Sequence, residues 1–434
     1  MTSPLSAAQI AESVRSGARS ALSVVEESLT RIAETDPSIG AFQLVDADGA
    51  RAAAAALDAR PTRAGLPLAG VPVAVKDNVD VAGLPTRHGS PATSSAPASA
   101  DDELVRRLRD AGAVVVGKTR LPELAIWHFT ESALGGTRNP QLPSRNAGGS
   151  TGGGAAAVAA GMVPLSLGSD GGGSLRIPAA NCGVVGFKPA VGTVPVAGGM
   201  TEHWFGCTSF GPLATTVPDI LLAHTVLSGQ SLAAPPPGAR RIAVALNRPV
   251  PGGAPDTTAR SAVQRAVYAL RSEGHEVTTV KLPYGAKVAL AWIAMWLAGT
   301  AQDVARMDLP VDRLEHRTQW MVRRGRRLLR RYGPELDRVR RVQEAWRSLA
   351  STFLEPYDVL LTPAVSHPSP RFGWGARAGF WRSFNNGSSV TPYTQAWNLS
   401  GFPAMSVPFG GDGPSGHEVP DGTRLGAVQL VAVP

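Results

Sequence analysis

Residues 148–189 decide how the chain is organised, and they read GGSTGGGAAAVAAGMVPLSLGSDGGGSLRIPAANCGVVGFKP. The stretch contains two glycine clusters, residues 148–154 and 171–174, separated by an Ala-rich apolar run that predicts a helix. Each Gly costs about 1 kcal/mol in a helix interior relative to Ala, so stability does not explain this glycine content. Glycine lets backbone N–H groups approach a bound anion or oxyanion closely, and each cluster also contains a serine. The stretch therefore predicts a binding or catalytic site.

Ser174 is followed by LRIPAANCG, which predicts one short helix with the serine near its N-terminus. A hydroxyl in that position can act as a nucleophile, and the amides of Gly171, Gly172 and Gly173 can receive the developing negative charge. A phosphate-binding loop and a plain turn are the two other interpretations of the same residues. The phosphate-loop pattern is not met, because no Gly-Lys-Ser/Thr follows either cluster, and the dinucleotide-binding pattern fits poorly.

The composition of the 434 residues predicts a globular protein, since 43% are hydrophobic and can build a large core. The net charge of +8 is compatible with nucleic-acid binding. However, five of the 42 basic residues are lysine, and a uniform preference for Arg over Lys is typical of genome composition rather than of a binding face. We therefore expect no nucleic-acid partner.

The cysteines and histidines predict neither a disulfide framework nor a metal site, and we expect no cofactor. Cys182 and Cys207 have no metal-ligand spacing and are too few to staple a chain of this length, which predicts two reduced, buried thiols. The eight histidines are scattered without an HxxxH or HxH pair. The N-terminus lacks a basic region followed by an apolar core, and no run of 18 strongly apolar residues occurs. These features predict a cytoplasmic protein without a membrane span.

Alternating helix and strand patterns along the chain predict a layered α/β fold. Helical spacing predicts two helices within residues 4–35, broken near Gly17 and ended by Asp36-Pro37, and further helices at residues 50–60, 101–111, 217–228, 258–272, 286–299 and 313–347. Strands are predicted at residues 68–81, 113–117, 241–246, 276–280 and 357–363, while residues 392–408 and 427–433 add a helix and two strands. Irregular loops are predicted at residues 121–140, 189–218 and 366–389.

The strand predicted at residues 68–81 places Lys76 at its end. A lysine in that position is commonly a surface residue whose stem covers apolar atoms. Alternatively, it belongs to a site, because α/β enzymes place reactive groups where strands end. The strand pattern leaves both interpretations open.

The segment from residue 286 to 354 differs from the rest of the chain. Trp292 and Trp296 are about one helical turn apart, which favours packing in the core over contact with a ligand. Residues 313–347 carry twelve arginines with interspersed acidic residues, which favours the solvated face of long helices over contact with an acidic surface. The aromatic residues of 366–389 fit either the lining of a substrate pocket or packing beneath a long loop.

Three motifs of the chain resemble the amidase signature family. They are GGSTGGGAAAVAAG at 148–161, PLSLGSDGGGSLRIPAANCGVVGFKP at 164–189 and GVPVAVKDNVDVAG at 70–83, with further matching blocks at 139–140, 210–219, 357–364 and 398–408. The resemblance covers roughly residues 5–434 and implies a single α/β domain with a central twisted mixed sheet flanked by helices on both faces. It also implies a variable helical segment at about residues 286–354. Relatives usually continue past the position of Pro434 into a final helix, so we expect that helix to be absent here.

The resemblance also implies a Ser-cisSer-Lys triad. Ser174 matches the nucleophile, Ser150 the bridging serine after a cis peptide bond, and Lys76 the general base. The amides of Gly171 to Gly173 match the oxyanion hole. Lys76 must be neutral to accept a proton, so we expect burial to lower its pKa. The residues that depart from the usual family pattern remove no triad group, and they are Thr151, Gly154, Gly172 and Thr208.

The implied activity is hydrolysis of a small-molecule amide to a carboxylic acid and ammonia or an amine, by a stand-alone enzyme for which a homodimer is one expected assembly. Loops near residues 127–134, 200–210 and 372–384 are predicted to shape the pocket. Their aromatic residues favour an apolar or aryl acyl group. The predicted substrate contacts are Trp127, Gly149, Trp204 and Phe384.

Three alternative functions stay open beside this one. The glutaminase component of a tRNA-dependent amidotransferase has SIRQPA at the nucleophile, and here Ile177 replaces the glutamine. A non-catalytic relative with a role in binding or assembly is disfavoured by the intact Lys76, Ser150 and Ser174. Nucleic-acid binding through residues 323–331 would predict an affinity that depends strongly on salt.

Overall fold

The computed structural model describes residues 5–231, 237–248, 253–333, 336–409 and 426–434. Numbered in chain order, the strands are β1 Phe42–Val45, β2 Pro72–Lys76, β3 Val114–Thr119, β4 Glu131–Ser132, β5 Gly135–Gly136, β6 Leu165–Asp170, β7 Val185–Lys188, β8 Ser209–Ala214, β9 Arg241–Val244, β10 Glu276–Thr279, β11 Val359–Pro363, β12 Ala404–Pro408 and β13 Ala427–Val431. The α-helices are α1 Ala7–Arg15, α2 Ala21–Ile39, α3 Ala47–Asp58, α4 Glu103–Asp110, α5 Gly152–Ala159, α6 Arg176–Cys182, α7 Val217–Ser228, α8 Thr257–Ser272, α9 Ala286–Arg306, α10 His316–Tyr332, α11 Leu336–Leu354, α12 Phe380–Val390 and α13 Gln395–Ser400.

Eleven of these strands form one mixed sheet in the order β1-β3-β2-β6-β8-β7-β12-β13-β11-β9-β10. β3, β2 and β6 are parallel neighbours, and so are β11, β9 and β10, while the strands from β8 to β13 between them run antiparallel to their neighbours. Every residue of β2, β3 and β6 is buried, which requires cover on both faces of the sheet. The predicted α/β fold with a large mixed sheet flanked by helices is therefore confirmed.

The glycine-rich stretch folds against the end of β2. Because β2 and β6 are parallel neighbours, with Val75 opposite Leu167, Lys76 and Asp170 come at the same edge of the sheet. α5 is apolar on all sides and buried, as expected of a helix enclosed by other elements, and it contacts β2, β6 and α6. α6 begins two residues after Ser174. The chain thus brings two strand ends and two helix starts to one place.

α2 passes the predicted stop at Asp36-Pro37 and continues to Ile39. A proline in the last turn removes only its own N–H donor, and the backbone N–H of Gly40 still donates to the carbonyl oxygen of Asp36 at 2.7 Å. The helix ends at Gly40, whose φ of 71° is the left-handed conformation common at helix C-termini. The predicted boundary at residue 35 was therefore four residues early.

All three segments predicted to be irregular contain some regular structure; in residues 121–140 the strands are the two-residue β4 and β5, and in the other two segments the elements are longer. β8 lies within residues 189–218 and pairs with β6 and β7, even though its sequence SFGPLA contains both Gly and Pro. α12 lies within residues 366–389, and its residue Phe380 stacks on Trp320 with ring centroids 3.7 Å apart. Both predictions were wrong because tertiary pairing and packing outweigh the weak local preferences of these sequences.

The arginine-rich residues 313–347 form most of α10 and α11, as predicted. In α10, Met321 and Val322 are buried while Arg323, Arg324 and Arg327 are exposed. Among the described helices, α9 is long and apolar enough to cross a membrane by length and composition, but most of it is buried inside the protein. That burial is the property of a core helix, and α9 reaches the candidate site described below.

The two cysteines are free and buried, as the sequence predicts. Burial raises the pKa of the Cys207 thiol to about 12 and raises the pKa of the Cys182 thiol further. Both groups are therefore protonated at neutral pH and act as small apolar side chains.

Candidate active site

Lys76 is fully buried at the end of β2. Its Nζ atom donates to the Oγ atom of Ser150 at 2.8 Å, to Oγ1 of Thr151 at 2.9 Å and to Oγ of Ser169 at 2.9 Å. Three hydroxyl groups therefore surround the amine. The interpretation of Lys76 as a surface residue was wrong, because its side chain points into the protein.

Burial lowers the pKa of Lys76 to about 7, and the nearby Asp170 carboxylate opposes this shift. At pH 7 roughly half of such an amine is neutral, whereas an ordinary lysine is almost fully charged. A neutral amine hydrogen-bonded to a serine hydroxyl can accept its proton. The environment of Lys76 thus permits the chemistry of a general base near neutral pH.

Ser150 and Ser174 lie on the wall of one small cavity. The peptide bond between Gly149 and Ser150 is cis, as the resemblance implies. The backbone N–H of Thr151 donates to the carbonyl oxygen of Ser174 at 3.1 Å, which ties the two glycine clusters together. The hydroxyl of Ser150 is hydrogen-bonded to Lys76, and no hydrogen bond joins it to the hydroxyl of Ser174 within the described residues.

A buried ion pair holds the loop that carries Ser174. The carboxylate of Asp170 accepts from Nε and Nη2 of Arg176, both at 2.9 Å, and from the backbone N–H of Gly173 at 2.6 Å. Burial opposes ionisation of Asp170, but the Arg176 guanidinium and the Asn398 amide outweigh it and lower the pKa of the carboxyl group. Arg176 also donates to Oε1 of Gln429 at 2.6 Å, which anchors the loop to β13.

The three glycines predicted to form an oxyanion hole differ in their hydrogen bonds. The N–H of Gly173 is used by the carboxylate just described, whereas no backbone hydrogen bond of the described residues uses the N–H of Gly171 or Gly172. The carbonyl oxygen of Gly171 accepts from Nε1 of Trp292 at 3.0 Å, which fixes the peptide plane that carries the N–H of Gly172. The carbonyl oxygen of Asp170 accepts from Nδ2 of Asn398 at 2.8 Å, which fixes the peptide plane that carries the N–H of Gly171. Two oriented donors are thus available next to Ser174.

Close side-chain approach explains why glycine occupies these positions. A Cβ atom on Gly172 would lie 2.5 Å from Cζ2 of Trp292, and one on Gly171 would lie 2.8 Å from Cε3 of Trp204. Gly173 has a φ of 121°, which other residues rarely adopt. The second glycine cluster is therefore required by packing as well as by its free amides.

Two cavities meet at Ser174, one lined mainly by apolar atoms and one of mixed lining that includes several polar side chains, and we call them the apolar cavity and the polar cavity. The apolar cavity has a volume of about 670 Å³ and the polar cavity about 90 Å³. The four predicted substrate contacts all line the apolar cavity, and they are Trp127, Gly149, Trp204 and Phe384. Trp204 lines the polar cavity as well. The structure therefore brings these four residues together beside Ser174.

Aromatic rings form much of the apolar wall. Trp292 stacks on Trp296 with centroids 5.3 Å apart, and Trp127 meets Trp296 edge-on at 5.3 Å. The prediction that Trp292 and Trp296 pack in the core is confirmed for Trp296, which is buried in a core cluster against which Trp292 packs, and both also line the apolar cavity. Phe384 lies in α12 rather than in a loop and stacks on Trp296 at 6.4 Å. Hence α9 and α12 together supply a rigid aromatic surface.

Polar side chains line the second cavity. His203 shares a hydrogen bond of 2.9 Å between its Nε2 atom and Oδ2 of Asp303, and Nε1 of Trp204 donates to the same oxygen at 2.9 Å. Burial opposes ionisation of Asp303, but His203, Trp204 and Arg306 outweigh it and lower its pKa. Asn78 lies opposite on the loop after β2 and donates from Nδ2 to Oγ of Ser169 at 3.2 Å. No group of three or more potential metal ligands occurs among the described residues.

Sequence reasoning missed several residues of this site. Asp170 and Arg176 flank the second glycine cluster, and two charged residues within an otherwise apolar and glycine-rich stretch are a signal of a buried pair. Thr151 follows Ser150 directly and Ser169 precedes the second glycine cluster, so the sequence also shows these two hydroxyl groups near the predicted serines. Asp303 carried no signal, because it reaches the site only through the placement of α9.

Comparison with known proteins identifies one matching family and several relatives over most of the chain. A family model described as Amidase matches residues 23–428. The chain is 39% identical over 445 aligned residues to the putative amidase AmiB2 of Mycobacterium tuberculosis, which covers 99% of this chain and 92% of that protein. It is 33% identical over 432 residues to a component of the glutamyl-tRNA(Gln) amidotransferase of Akkermansia muciniphila, covering 90% of this chain and 89% of that protein.

Among solved structures, 6-aminohexanoate cyclic dimer hydrolase superposes with a TM-score of 0.87 at 28% identity, covering 99% of this chain and 93% of that chain. The shared fold therefore extends over nearly the whole of both proteins. Since the family match also spans nearly the entire chain and the relatives are named as enzymes that act on amides, this chain belongs to the amidase signature family and is a hydrolase acting on amides.

Proposed function

We propose that this chain hydrolyses a carboxylic amide through an acyl-enzyme formed on Ser174, with Ser150 as proton relay and Lys76 as general base. The observation that carries the proposal is the fully buried Lys76 amine, 2.8 Å from the Ser150 hydroxyl, with a pKa lowered to about 7. Burying an amine costs free energy, whereas burying an apolar side chain does not. A role in proton transfer with the adjacent serine would explain why a lysine is buried at this position.

In the acylation step, the Oγ atom of Ser174 attacks the amide carbonyl carbon while its proton passes to Ser150. Ser150 in turn gives its own proton to Lys76. The negative charge that develops on the carbonyl oxygen is stabilised by the free N–H groups of Gly171 and Gly172. The C–N bond then breaks as the proton returns through Ser150 to the leaving nitrogen.

In the deacylation step, water takes the place that the amine has left. Lys76 and Ser150 remove a proton from the water, which attacks the acyl carbon. The ester bond to Ser174 then breaks, and the proton returns through Ser150 to the Oγ atom of Ser174 as the acid leaves. The same two glycine amides serve both steps, because the oxygen charge develops in the same place. The ion pair of Asp170 with Arg176 keeps these amides fixed between the steps.

The apolar cavity favours an aryl or long aliphatic acyl group. Its walls carry Trp127, Trp292 and Phe384, and such surfaces bind apolar groups through burial of area and ring stacking. Similarity to the Akkermansia amidotransferase component favours glutamine as a second candidate substrate. Glutamine would place an ammonium and a carboxylate in the aromatic cavity, where burial of charge is costly. A stand-alone amidase for apolar acids is therefore the better-supported function.

The experiment that tests the proposal is intact-mass spectrometry after exposure to a fluorophosphonate probe. We expect one adduct on the native chain and none on Ser174→Ala. Ser166→Ala is the matched control, because it removes another buried hydroxyl at the strand beside the site and is expected to keep the adduct. A folded native protein that forms no adduct would favour the non-catalytic alternative. Release of ammonia from glutamine at a rate above that from aryl amides would favour the glutaminase.

A further inference from the structure

The two cavities that meet at Ser174 differ in which serine they reach. Ser150 and Ser174 both line the polar cavity, whereas Gly149, Gly172 and Ser174 line the apolar cavity. The proposed proton relay therefore contributes to the wall of the polar cavity and not to that of the apolar cavity. This asymmetry assigns the two halves of an amide substrate to different cavities.

The assignment follows from the proton balance and rests on the proposed function. When the C–N bond breaks, the electron pair of that bond stays on nitrogen, and the nitrogen takes a proton from the Ser150 hydroxyl, which is refilled from Lys76. The leaving nitrogen must then lie within hydrogen-bond reach of Ser150. We infer that the polar cavity receives the amine half of the substrate, and that the substrates are amides of ammonia or a short amine with a large apolar acid.

An unused acceptor in the polar cavity matches this assignment. The Oδ1 atom of Asn78 is buried and has no hydrogen-bond partner in the described part of the chain, while its Nδ2 donates to Ser169. A buried polar atom without a partner is rare in native proteins and calls for a ligand or a water. The N–H groups of a leaving amine or ammonia are donors, and Asn78 Oδ1 would accept from one of them once its side chain turns toward the cavity that the residue lines.

The size and rigidity of the polar cavity limit the amine. Its volume of about 90 Å³ compares with about 670 Å³ on the apolar side. One wall is fixed by the hydrogen bonds of Asp303 with His203 and Trp204, both 2.9 Å long. An amine that extends toward this wall would have to break these bonds around a buried carboxylate, which is unfavourable.

The first test is a series of amides with one acyl group and increasing amines. With the 4-phenylbutanoyl group we would measure kcat/KM for the primary amide, the N-methyl amide, the anilide and the 2-naphthylamide. We expect kcat/KM to be at least tenfold higher for the primary and N-methyl amides than for the two aryl amides. An anilide that reacts as fast as the primary amide would overturn the inference while leaving the proposed function intact.

A second measurement does not depend on amide turnover. The p-nitrophenyl ester of the same acid would form the acyl-enzyme, and methylamine and cyclohexylamine, two amines of similar basicity and different bulk, would compete with water for it. By reversal of the cleavage step, the cavity that releases the amine also admits the attacking amine. We expect methylamine to trap at least tenfold more acyl group than cyclohexylamine at equal free-base concentration, and equal trapping would overturn the inference. Failure of Ser174 to form any acyl-enzyme would reject the proposed function instead.

The third test separates a contact with the leaving nitrogen from a structural role of Asn78. Asn78→Ala is expected to lower the ratio of kcat/KM for the primary amide to that for the methyl ester about tenfold, because the ester has no N–H to donate. A purely structural effect would lower both rates and leave the ratio unchanged, and that result would overturn the role of Asn78. Asn385→Ala is the matched control, since Asn385 lines the apolar cavity and its loss is expected to leave the ratio unchanged.

Discussion

The amine of Lys76 lies 2.8 Å from the hydroxyl of Ser150, and both side chains are fully buried. This hydrogen bond joins the end of β2 to the glycine cluster that precedes α5, two elements 74 residues apart in the chain. The same loss of water that lowers the pKa of the lysine prepares it to accept a proton.

The first prediction concerns the pH dependence of activity. Burial lowers the pKa of Lys76 to about 7, so the neutral form grows as pH rises through 7. We expect kcat/KM to rise from pH 5 and level off above about pH 8, with a midpoint near 7. Lys76→Met is expected to lower kcat by about 10³-fold. A profile flat from pH 5 to 9 would contradict a lysine base.

Lys188 offers a matched control for that experiment. It is also fully buried, and desolvation together with the Arg176 charge lowers its pKa to about 7, but its Nζ atom donates to the carbonyl oxygen of Pro189 rather than to a serine. We expect Lys188→Met to keep the midpoint of the activity profile. If Lys188→Met removed the midpoint and Lys76→Met did not, the base would be misassigned.

Lys188 also predicts a pH dependence of stability. Its pKa is lowered on folding, so between pH 7 and about 10 the unfolded chain binds more protons at this group than the native protein does. The free energy of unfolding should therefore rise with pH over this window through this group, and Lys188→Met should remove that rise. Urea midpoints of the two proteins at pH 7 and pH 9 would measure it, and a constant difference between them would argue against a buried neutral lysine.

Breaking the ion pair beneath Ser174 is expected to cost stability and activity together. Asp170→Asn leaves the fully buried Arg176 without its carboxylate, and the loss of one partner of such a pair costs about 3–5 kcal/mol. Denaturation by urea would measure the change, and the accompanying loss of order in the loop should lower kcat. Arg106→Ala removes an exposed pair with Glu103 and should leave both quantities almost unchanged. Equal effects of the two substitutions would show that the loop is not held by Asp170.

Gly172→Ala is expected to damage the site through a clash with Trp292. The added Cβ would lie 2.5 Å from Cζ2 of the indole ring, so the free amide at this position must shift. Loss of one oxyanion donor lowers kcat by about 10²- to 10³-fold, and we expect a change of this size. Gly65→Ala, where no atom lies within 4 Å of the new carbon, should keep full activity. Partial rescue in the double variant with Trp292→Ala would identify the clash as the cause.

A cavity-filling substitution tests the place of the acyl group. Ala289 lines the apolar cavity, and Ala289→Trp would fill part of its volume without adding charge. We expect kcat/KM for a long aryl acyl amide to fall about tenfold or more while that for acetamide stays within about twofold, because one poorly fitting side chain is worth about 1–3 kcal/mol. An equal fall for both substrates would mean that the substitution disturbs the triad geometry rather than the acyl cavity.

Sequence-based prediction succeeded where local pattern decides the structure and failed where contacts with distant segments decide it. The helices α4 and α7 were predicted to within two residues at each end, because the local pattern suffices there. The strand of Lys76 was predicted at residues 68–81, and the structure confines it to Pro72–Lys76. β8 and α12 were missed because glycine, proline and asparagine in them favour turns when taken alone. Their regular structure depends on partners that are distant in sequence.

The residues of the candidate site show the same difference between what local motifs predict and what depends on distant contacts. Ser150, Ser174 and Lys76 were predicted from three motifs, and the structure brings the three side chains together. The Gly173 amide was predicted as a free donor, but the structure shows it bonded to Asp170. Which amide is free depends on where a buried carboxylate points, and no local pattern contains that information.

The sequence by itself determined the family, the α/β class and the chemical groups of the site, because motif spacing and periodicity reflect local backbone requirements. Only the tertiary structure decided that Lys76 loses its water, that Asp303 reaches the site through α9, and that an apolar and a polar cavity meet at Ser174. Desolvation and cavity shape are set by atoms from segments far apart in the chain. They therefore exist only once the chain has packed.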